Sequence, residues 1–186
     1  EIMGSGDLDK YKEEQIEFQN YMLKHLRGRK LELAKGGREG KQDLLNLIAS
    51  ARNEQDEAIP ESDALSMLNQ LLVGGNETTT SLITNLFWRL LEKPSRWRTL
   101  LEDRSLVRSA VEESLRYDPP VLGLYRNSAS DIEIHDETIP EGEKVYVYYA
   151  AANRDPRVFN KPNEFDISRK ASRHMSLGLG THFCAG

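Results

Sequence analysis

A mainly α-helical fold with a small β component is predicted for this 186-residue chain. Over the first two-thirds, apolar residues recur at three- and four-residue steps, the spacing of amphipathic helices. After Pro120 short alternating runs of strand type replace that spacing. From Asp155 onward the periodicity fades into a long stretch rich in Pro, Gly, Asn and Ser, which in a compact domain is often functional.

The first helix is expected from Leu8 to about Lys35, where Ile16, Phe18, Tyr21, Met22, Leu23 and Leu26 stand among many charges. Glycines 36, 37 and 40 end it. A second is expected from Gln42 to Arg52 on Leu44, Leu45, Leu47 and Ile48, and the polar residues Asn53 to Glu57 form a loop. Pro60-Glu61-Ser62-Asp63 then opens a long helix with an acidic first turn suited to the helix dipole. Leu65, Leu68, Leu72, Gly75, Leu82 and Leu86 share one broad face of it. It runs to Pro94, which gives it a length of about 45 Å at ~1.5 Å per residue. Two shorter helices follow, roughly Ser95 to Asp103 and Ser105 to Tyr117, and Asp118-Pro119-Pro120 stops the second. Asp131 to Ile134 and Lys144 to Tyr149 read as strands, with His135-Asp136-Glu137 as a turn. One domain covering 1–186 is expected, helical to about 118 and built of β and loop structure from about 119.

Composition bounds the function. Apolar residues make up 38% and charged residues 30%, as in a folded soluble domain. The formal charge is −5 with both signs interspersed, so no basic stripe for nucleic acid is present. A single cysteine leaves no internal disulfide. The longest apolar run, Val145 to Ala152, is too short to cross a bilayer, and Glu1-Ile2-Met3 does not open a signal peptide. A cytoplasmic protein is expected, with its true start upstream of Glu1.

Three segments carry candidate chemistry. Gly74-Gly75-Asn76-Glu77-Thr78-Thr79 places two glycines, an acid and two hydroxyls in the middle of the long helix. Gly75 admits a ligand close to the backbone, and the Thr78 hydroxyl could break or bend the hydrogen-bond ladder. Taken alone, the segment reads slightly better as close helix packing. Glu113-Ser114-Leu115-Arg116 puts a Glu and an Arg three apart on one helix face, which in isolation is an ordinary surface ion pair. Leu177 to Gly186 holds the lone Cys184 in a glycine-rich loop, with His182 two residues before it. A thiolate needs a metal, positive charge or amide donors; a buried inert cysteine is the commoner outcome. Zinc would need paired ligand spacing that is missing here.

In this order, the three segments resemble the cytochrome P-450 haem-thiolate monooxygenases. Gly74 to Thr78 is similar to that family's oxygen-activation motif, and Glu113 with Arg116 to its Glu-x-x-Arg pair. Leu177 to Gly186 is similar to its cysteine loop, usually Phe-x-x-Gly-x-His/Arg-x-Cys-x-Gly. Ala152-Asn153-Arg154-Asp155-Pro156 and Phe165-Asp166-Ile167-Ser168-Arg169 between them also look like family segments. The resemblance covers the chain from about Ala58 to its last residue.

The resemblance implies a role for each matching residue. Cys184 matches the proximal thiolate ligand of the iron, which favours O–O cleavage. Glu77 and Thr78 match the acid and alcohol that deliver protons to dioxygen, and Gly74 and Gly75 leave it room. Glu113, Arg116 and Arg169 match a buried charged triad that supports the cysteine loop. Arg126 and His182 match contacts to the haem propionates, and Gly180 matches the loop's glycine beside the cofactor. Val121, Leu122 and Leu124 resemble a substrate-facing stretch, with plain core packing an equal reading. Leu177 departs from the usual aromatic residue, which would alter the electronics of the thiolate.

The chain ends two residues after Cys184, where the family continues into a helix on the proximal haem face, and the family has a further N-terminal region. A partial chain of the cytochrome P-450 fold, lacking both, is therefore expected. The implied activity is oxidation of a hydrophobic organic small molecule with O2. Its cofactor is haem (heme b, iron protoporphyrin IX), and its electrons come from NAD(P)H through separate partners, a ferredoxin and a ferredoxin reductase. No nucleic-acid partner and no membrane segment are expected. A haem-thiolate peroxygenase and a non-catalytic helical fragment that binds no haem are the alternatives.

Overall fold

A computed structural model describes residues 8–37, 43–170 and 173–186. They form two compact units, one running to Gly75 and the other starting at Asn76.

The first unit contains α1 (Leu8–Ala34), α2 (Leu44–Ala49) and the first part of α3 (Glu61–Glu92). Its core is Met22, Leu26, Ile48, Ala64 and Leu68, flanked by Leu45, Ala49, Ile59 and Leu65. Gly36 takes the left-handed backbone that closes α1, at φ +71, and the Gly37 N–H returns to the Glu32 carbonyl at 2.9 Å. Gly40 and Gln42 lie outside the described residues. Helix α2 is shorter than its apolar pattern suggests. Asp43 caps its first turn, accepting from the Asn46 N–H at 2.8 Å. At the other end the Ser50 hydroxyl donates to the Asn46 carbonyl at 2.7 Å, competing with the ladder that would carry the helix to Arg52. Asn53 then organises the expected loop by accepting from the N–H groups of Gln55 and Glu57.

Helix α3 opens on the predicted acidic turn, with Glu61 and Asp63, and runs for 32 residues. It remains α-helical through Gly74–Thr78, so the segment does not interrupt the ladder. Two glycines cost about 1 kcal/mol each in a helix interior, too little to break a helix of this length between leucine-rich flanks.

The second unit continues with α4 (Pro94–Glu102) and α5 (Val107–Tyr117). Pro94 stands at the start of α4, where its missing N–H is harmless. Leu90, Leu100, Ala110, Phe165 and Ile167 make the core of this unit. The irregular segment around Phe165 is thus pinned against α5. Strand β1 (Leu124–Asn127) pairs antiparallel with β4 (Lys144–Val147), and β2 (Ile132–Ile134) forms a hairpin with β3 (Glu137–Ile139). His135 turns the hairpin at φ +54. Tyr149, expected in a strand, instead opens the short helix α6 (Tyr149–Ala152), where it is buried. Among the described residues beyond Asn153 the backbone is irregular apart from one 3₁₀ turn, Gly180–His182. Among the described residues no helix is long and apolar enough to cross a membrane.

Candidate active site

Glu113 and Arg116 occupy the inner face of α5, 2% and 1% exposed. Arg116 clasps the carboxylate with both Nε, 2.7 Å from Oε2, and Nη2, 2.8 Å from Oε1. Arg169 Nε donates to Oε2 at 3.0 Å and the Asp166 N–H to Oε1 at 2.9 Å, so each carboxylate oxygen takes two donors. The remaining guanidinium donors of Arg116 reach the carbonyls of Asn153, Pro162 and Glu164. Those of Arg169 reach Asn160, Lys161 and Glu164. Arg116 also lies over the Phe159 ring at 5.3 Å. Burial of so many charges is tolerable only in a satisfied network of this kind, so the pair is not the exposed ion pair that its spacing alone suggests.

The network fixes the irregular chain that follows. Burial pushes the Asp166 carboxyl up. Hydrogen bonds from the Ser168 hydroxyl and N–H, with Arg169 and Arg96 nearby, outweigh this and hold it below the ordinary carboxylate range.

Three further residues, Asn153, His174 and Ser176, join this region, and a fourth, Gly123, is held against β4. Asn153 is wholly buried; its Oδ1 accepts from the Met175 N–H at 2.7 Å and its Nδ2 donates to Ser176 Oγ at 2.8 Å. Ser176 Oγ donates in turn to the Leu115 carbonyl at 2.6 Å. His174 Nε2 lies 3.0 Å from Glu112 Oε2. Gly123, between Leu122 and Leu124, packs so tightly that a Cβ there would collide with the Val147 carbonyl and the Tyr146 ring. Polar residues in an unpatterned stretch and one glycine among several give no periodic signal, so only the three-dimensional contacts single them out.

Past Ser176 the chain folds into a closed loop. Gly178 and Gly180 take left-handed backbone at φ +73 and +75. The Cys184 N–H donates to the Leu177 carbonyl at 2.8 Å and the Phe183 N–H to the Gly180 carbonyl at 3.1 Å. Cys184 is exposed, not buried, and is in no disulfide. His182, the last residue of the 3₁₀ turn, is also exposed.

The remaining predicted residues are distributed over other elements. Arg126 is exposed on β1, with its Nη1 on the Tyr125 carbonyl at 2.8 Å. Val121 is half-buried and Leu122 and Leu124 are exposed. Leu122 lines an open cleft of about 500 Å³ together with Trp88, Arg89, Asp118, Tyr148 and Arg154. Arg89 and Asp118 pair in that cleft at 2.6 Å, and the hydrogen bonds that Arg89 donates to the carboxylate raise its pKa further. On α3, Gly74 and Thr78 are half-buried whereas Gly75 and Glu77 are exposed.

These donors suit a particular kind of metal. Among the described residues no three His, Cys, Asp or Glu side chains cluster to hold an ion. A single accessible thiol such as Cys184 fits a metal whose remaining ligands arrive with it, as they do in a metalloporphyrin.

Residues 2–186 match the family described as Cytochrome P-450. The chain is 41% identical over 155 residues to cytochrome P-450 107B1 of Saccharopolyspora erythraea, covering 83% of this chain and 38% of that protein. It is 38% identical over 172 residues to the 20-oxo-5-O-mycaminosyltylactone 23-monooxygenase of Streptomyces fradiae, covering 92% of this chain and 39% of that enzyme. Among solved structures it resembles the cytochrome P-450 PksS of Bacillus subtilis 168, with a TM-score of 0.87 and 30% identity, over 97% of this chain and 45% of that one. It therefore spans about two-fifths of the length of these relatives. The fold, the buried Glu113–Arg116–Arg169 network and the sequence similarity lead to one conclusion: the chain belongs to the cytochrome P-450 family.

Proposed function

We propose that the protein carrying this chain is a haem-thiolate monooxygenase that oxidises a hydrophobic small molecule with O2, and that Cys184 is the protein ligand of its iron. The observation that carries this reading is the lone exposed thiol on a closed loop whose left-handed turns fall at Gly178 and Gly180. The bound haem supplies dioxygen binding and reductive O–O cleavage. Cys184 holds the metal and gives it electron density. Arg126 and His182, both exposed, pair with the carboxylate groups of the porphyrin, and Gly180, with nothing within 4 Å of where a Cβ would stand, leaves room for the cofactor. Glu77 and Thr78 pass protons from water towards the oxygen site, and Gly74 and Gly75 keep the helix slim there. Leu122 and Leu124, with Val121, exclude water and present an apolar wall to substrate. The Glu113–Arg116–Arg169 network holds the segment that leads to the cysteine loop. NAD(P)H is the electron source, through a separate ferredoxin and ferredoxin reductase.

The test uses the full-length protein, reduced and exposed to carbon monoxide. A Soret band at the thiolate-ligated position, lost in Cys184→Ala, supports the assignment. Absence of haem, or a histidine-type band, rejects it. Thr78→Ala is expected to divert reduced oxygen to peroxide instead of product; unchanged coupling removes Thr78 from the relay.

A further inference from the structure

We infer that Asn153 is a positioning residue that couples the Cys184 loop to the buried Glu113–Arg116–Arg169 network. This rests on the reading of Cys184 as the iron ligand. Each polar group of Asn153 is engaged. Its backbone carbonyl accepts from Arg116 Nη1 at 2.9 Å, and its backbone N–H closes α6 on the Tyr149 carbonyl at 2.9 Å. Its side chain faces the other way, onto the segment before the cysteine loop, through Met175 N–H and Ser176 Oγ. The orientation of the amide follows from the partners. The Met175 N–H can only donate, so Oδ1 must face it; Ser176 Oγ spends its proton on the Leu115 carbonyl, so Nδ2 must face that oxygen.

The segment 174–176 is thereby tied to α5 at three successive positions: His174 to Glu112, Met175 through Asn153 to Arg116, and Ser176 to Leu115. The next residue, Leu177, receives the Cys184 N–H, and Met175 receives the Gly178 N–H. A shift of Asn153 therefore moves both ends of the loop that presents the thiol. Wholly buried, Asn153 has no water to replace a lost partner. Sequence separation hides this coupling, because Asn153 lies 22 residues from Met175 and 37 from Arg116.

Amide hydrogen exchange over residues 174–184 of the full-length protein tests the coupling directly and needs no haem. Asn153→Ala and Ser176→Ala are expected to speed exchange of this segment about tenfold, the effect of losing one buried hydrogen bond. Ser176→Thr retains the hydroxyl and is expected to exchange like wild type. Leu100→Ala, which opens the core of the same unit without touching 174–176, serves as the control for general destabilisation. In the reduced, carbon monoxide-bound holoprotein, Asn153→Ala and Ser176→Ala are expected to lose part of the thiolate-type Soret band, with Ser176→Thr and Leu100→Ala retaining it. Exchange that is unchanged in Ser176→Ala, or raised as much by Leu100→Ala, overturns the inference. If Asn153→Ala does not fold, the Ser176 pair decides alone. A wild-type protein without a thiolate band defeats the proposed function, whereas the exchange result still decides the coupling.

Discussion

Arg169 Nε lies 3.0 Å from Glu113 Oε2, across 56 residues of sequence, and the same oxygen accepts from Arg116 Nε at 2.7 Å. One carboxylate thus holds two guanidiniums, one of them from a segment without regular structure. Removing that carboxylate leaves the buried Arg116 without the anion it clasps and takes from Arg169 the carboxylate it donates to. Glu113→Gln is expected to destabilise the full-length protein by about 3–5 kcal/mol, as seen when one partner of a buried ion pair is removed. Arg169 is less buried, at 15% side-chain exposure, so Arg169→Lys should cost less, about 1–2 kcal/mol. Urea unfolding measures both. Equal losses would mean that Arg169 carries as much of the network as Glu113.

Gly123 makes a second prediction because its constraint is steric. The Cβ of an alanine would meet the Val147 carbonyl, part of the β1–β4 pairing, and backbone cannot yield as a flexible side chain does. Gly123→Ala is expected to cost about 1–3 kcal/mol, the range for overpacking, and to shift the neighbouring Leu122 and Leu124. Thermal unfolding shows the cost. A neutral substitution would show that β1 can move away from β4 freely.

The long helices were legible in the sequence because amphipathic spacing accumulates over many residues: α1 is helical from Leu8, the first described residue, and ends one residue before the predicted Lys35. Strands β1 and β3 were not, since four exposed residues in one and three residues in the other, with only Ile139 half-buried, are too short a pattern to read. Tyr149 continued an apolar run, yet its C=O accepts from the Asn153 N–H and closes a helical turn. At the candidate site, Glu113, Arg116 and Arg169 were recognisable as a motif, but their meeting on one carboxylate is a property of tertiary packing. Asn153 and Ser176 were harder still. An Asn and a Ser in a loop carry no distinguishing pattern, and their importance comes from burial that only the fold creates.

Acid should weaken one turn of the segment between α6 and the cysteine loop. Hydrogen bonds from the Arg157 side chain and N–H hold the Asp155 carboxyl down to about 2. In the unfolded chain the same group titrates near ~4. Between these values the unfolded chain binds more protons, so the contribution is complete above about pH 4 and is lost as pH falls through about 2. Comparing Asp155→Asn with wild type isolates this term. The gap between their urea midpoints should be constant above about pH 5 and close between about 4 and 2. A gap that persists to the lower limit contradicts the assignment of the low pKa to this pair.

Gly75 sets stability against function within one helix. It stands inside α3 with nothing within 4 Å of the place a Cβ would occupy. By helix propensity alone, Gly75→Ala should stabilise the protein by about 0.5–1 kcal/mol, visible as a rise of a few degrees in Tm. If the glycine serves to leave room for dioxygen, the added methyl group intrudes on that space. Turnover should then fall, and more of the electrons consumed should appear as peroxide, even as the protein becomes harder to unfold. Higher stability with undiminished coupling would show that Gly75 is a packing residue only. A loss of both would mean that α3 is closely covered at this position in the full-length protein. The two measurements on a single variant therefore separate the helix-packing role of this glycine from its proposed role beside the oxygen site.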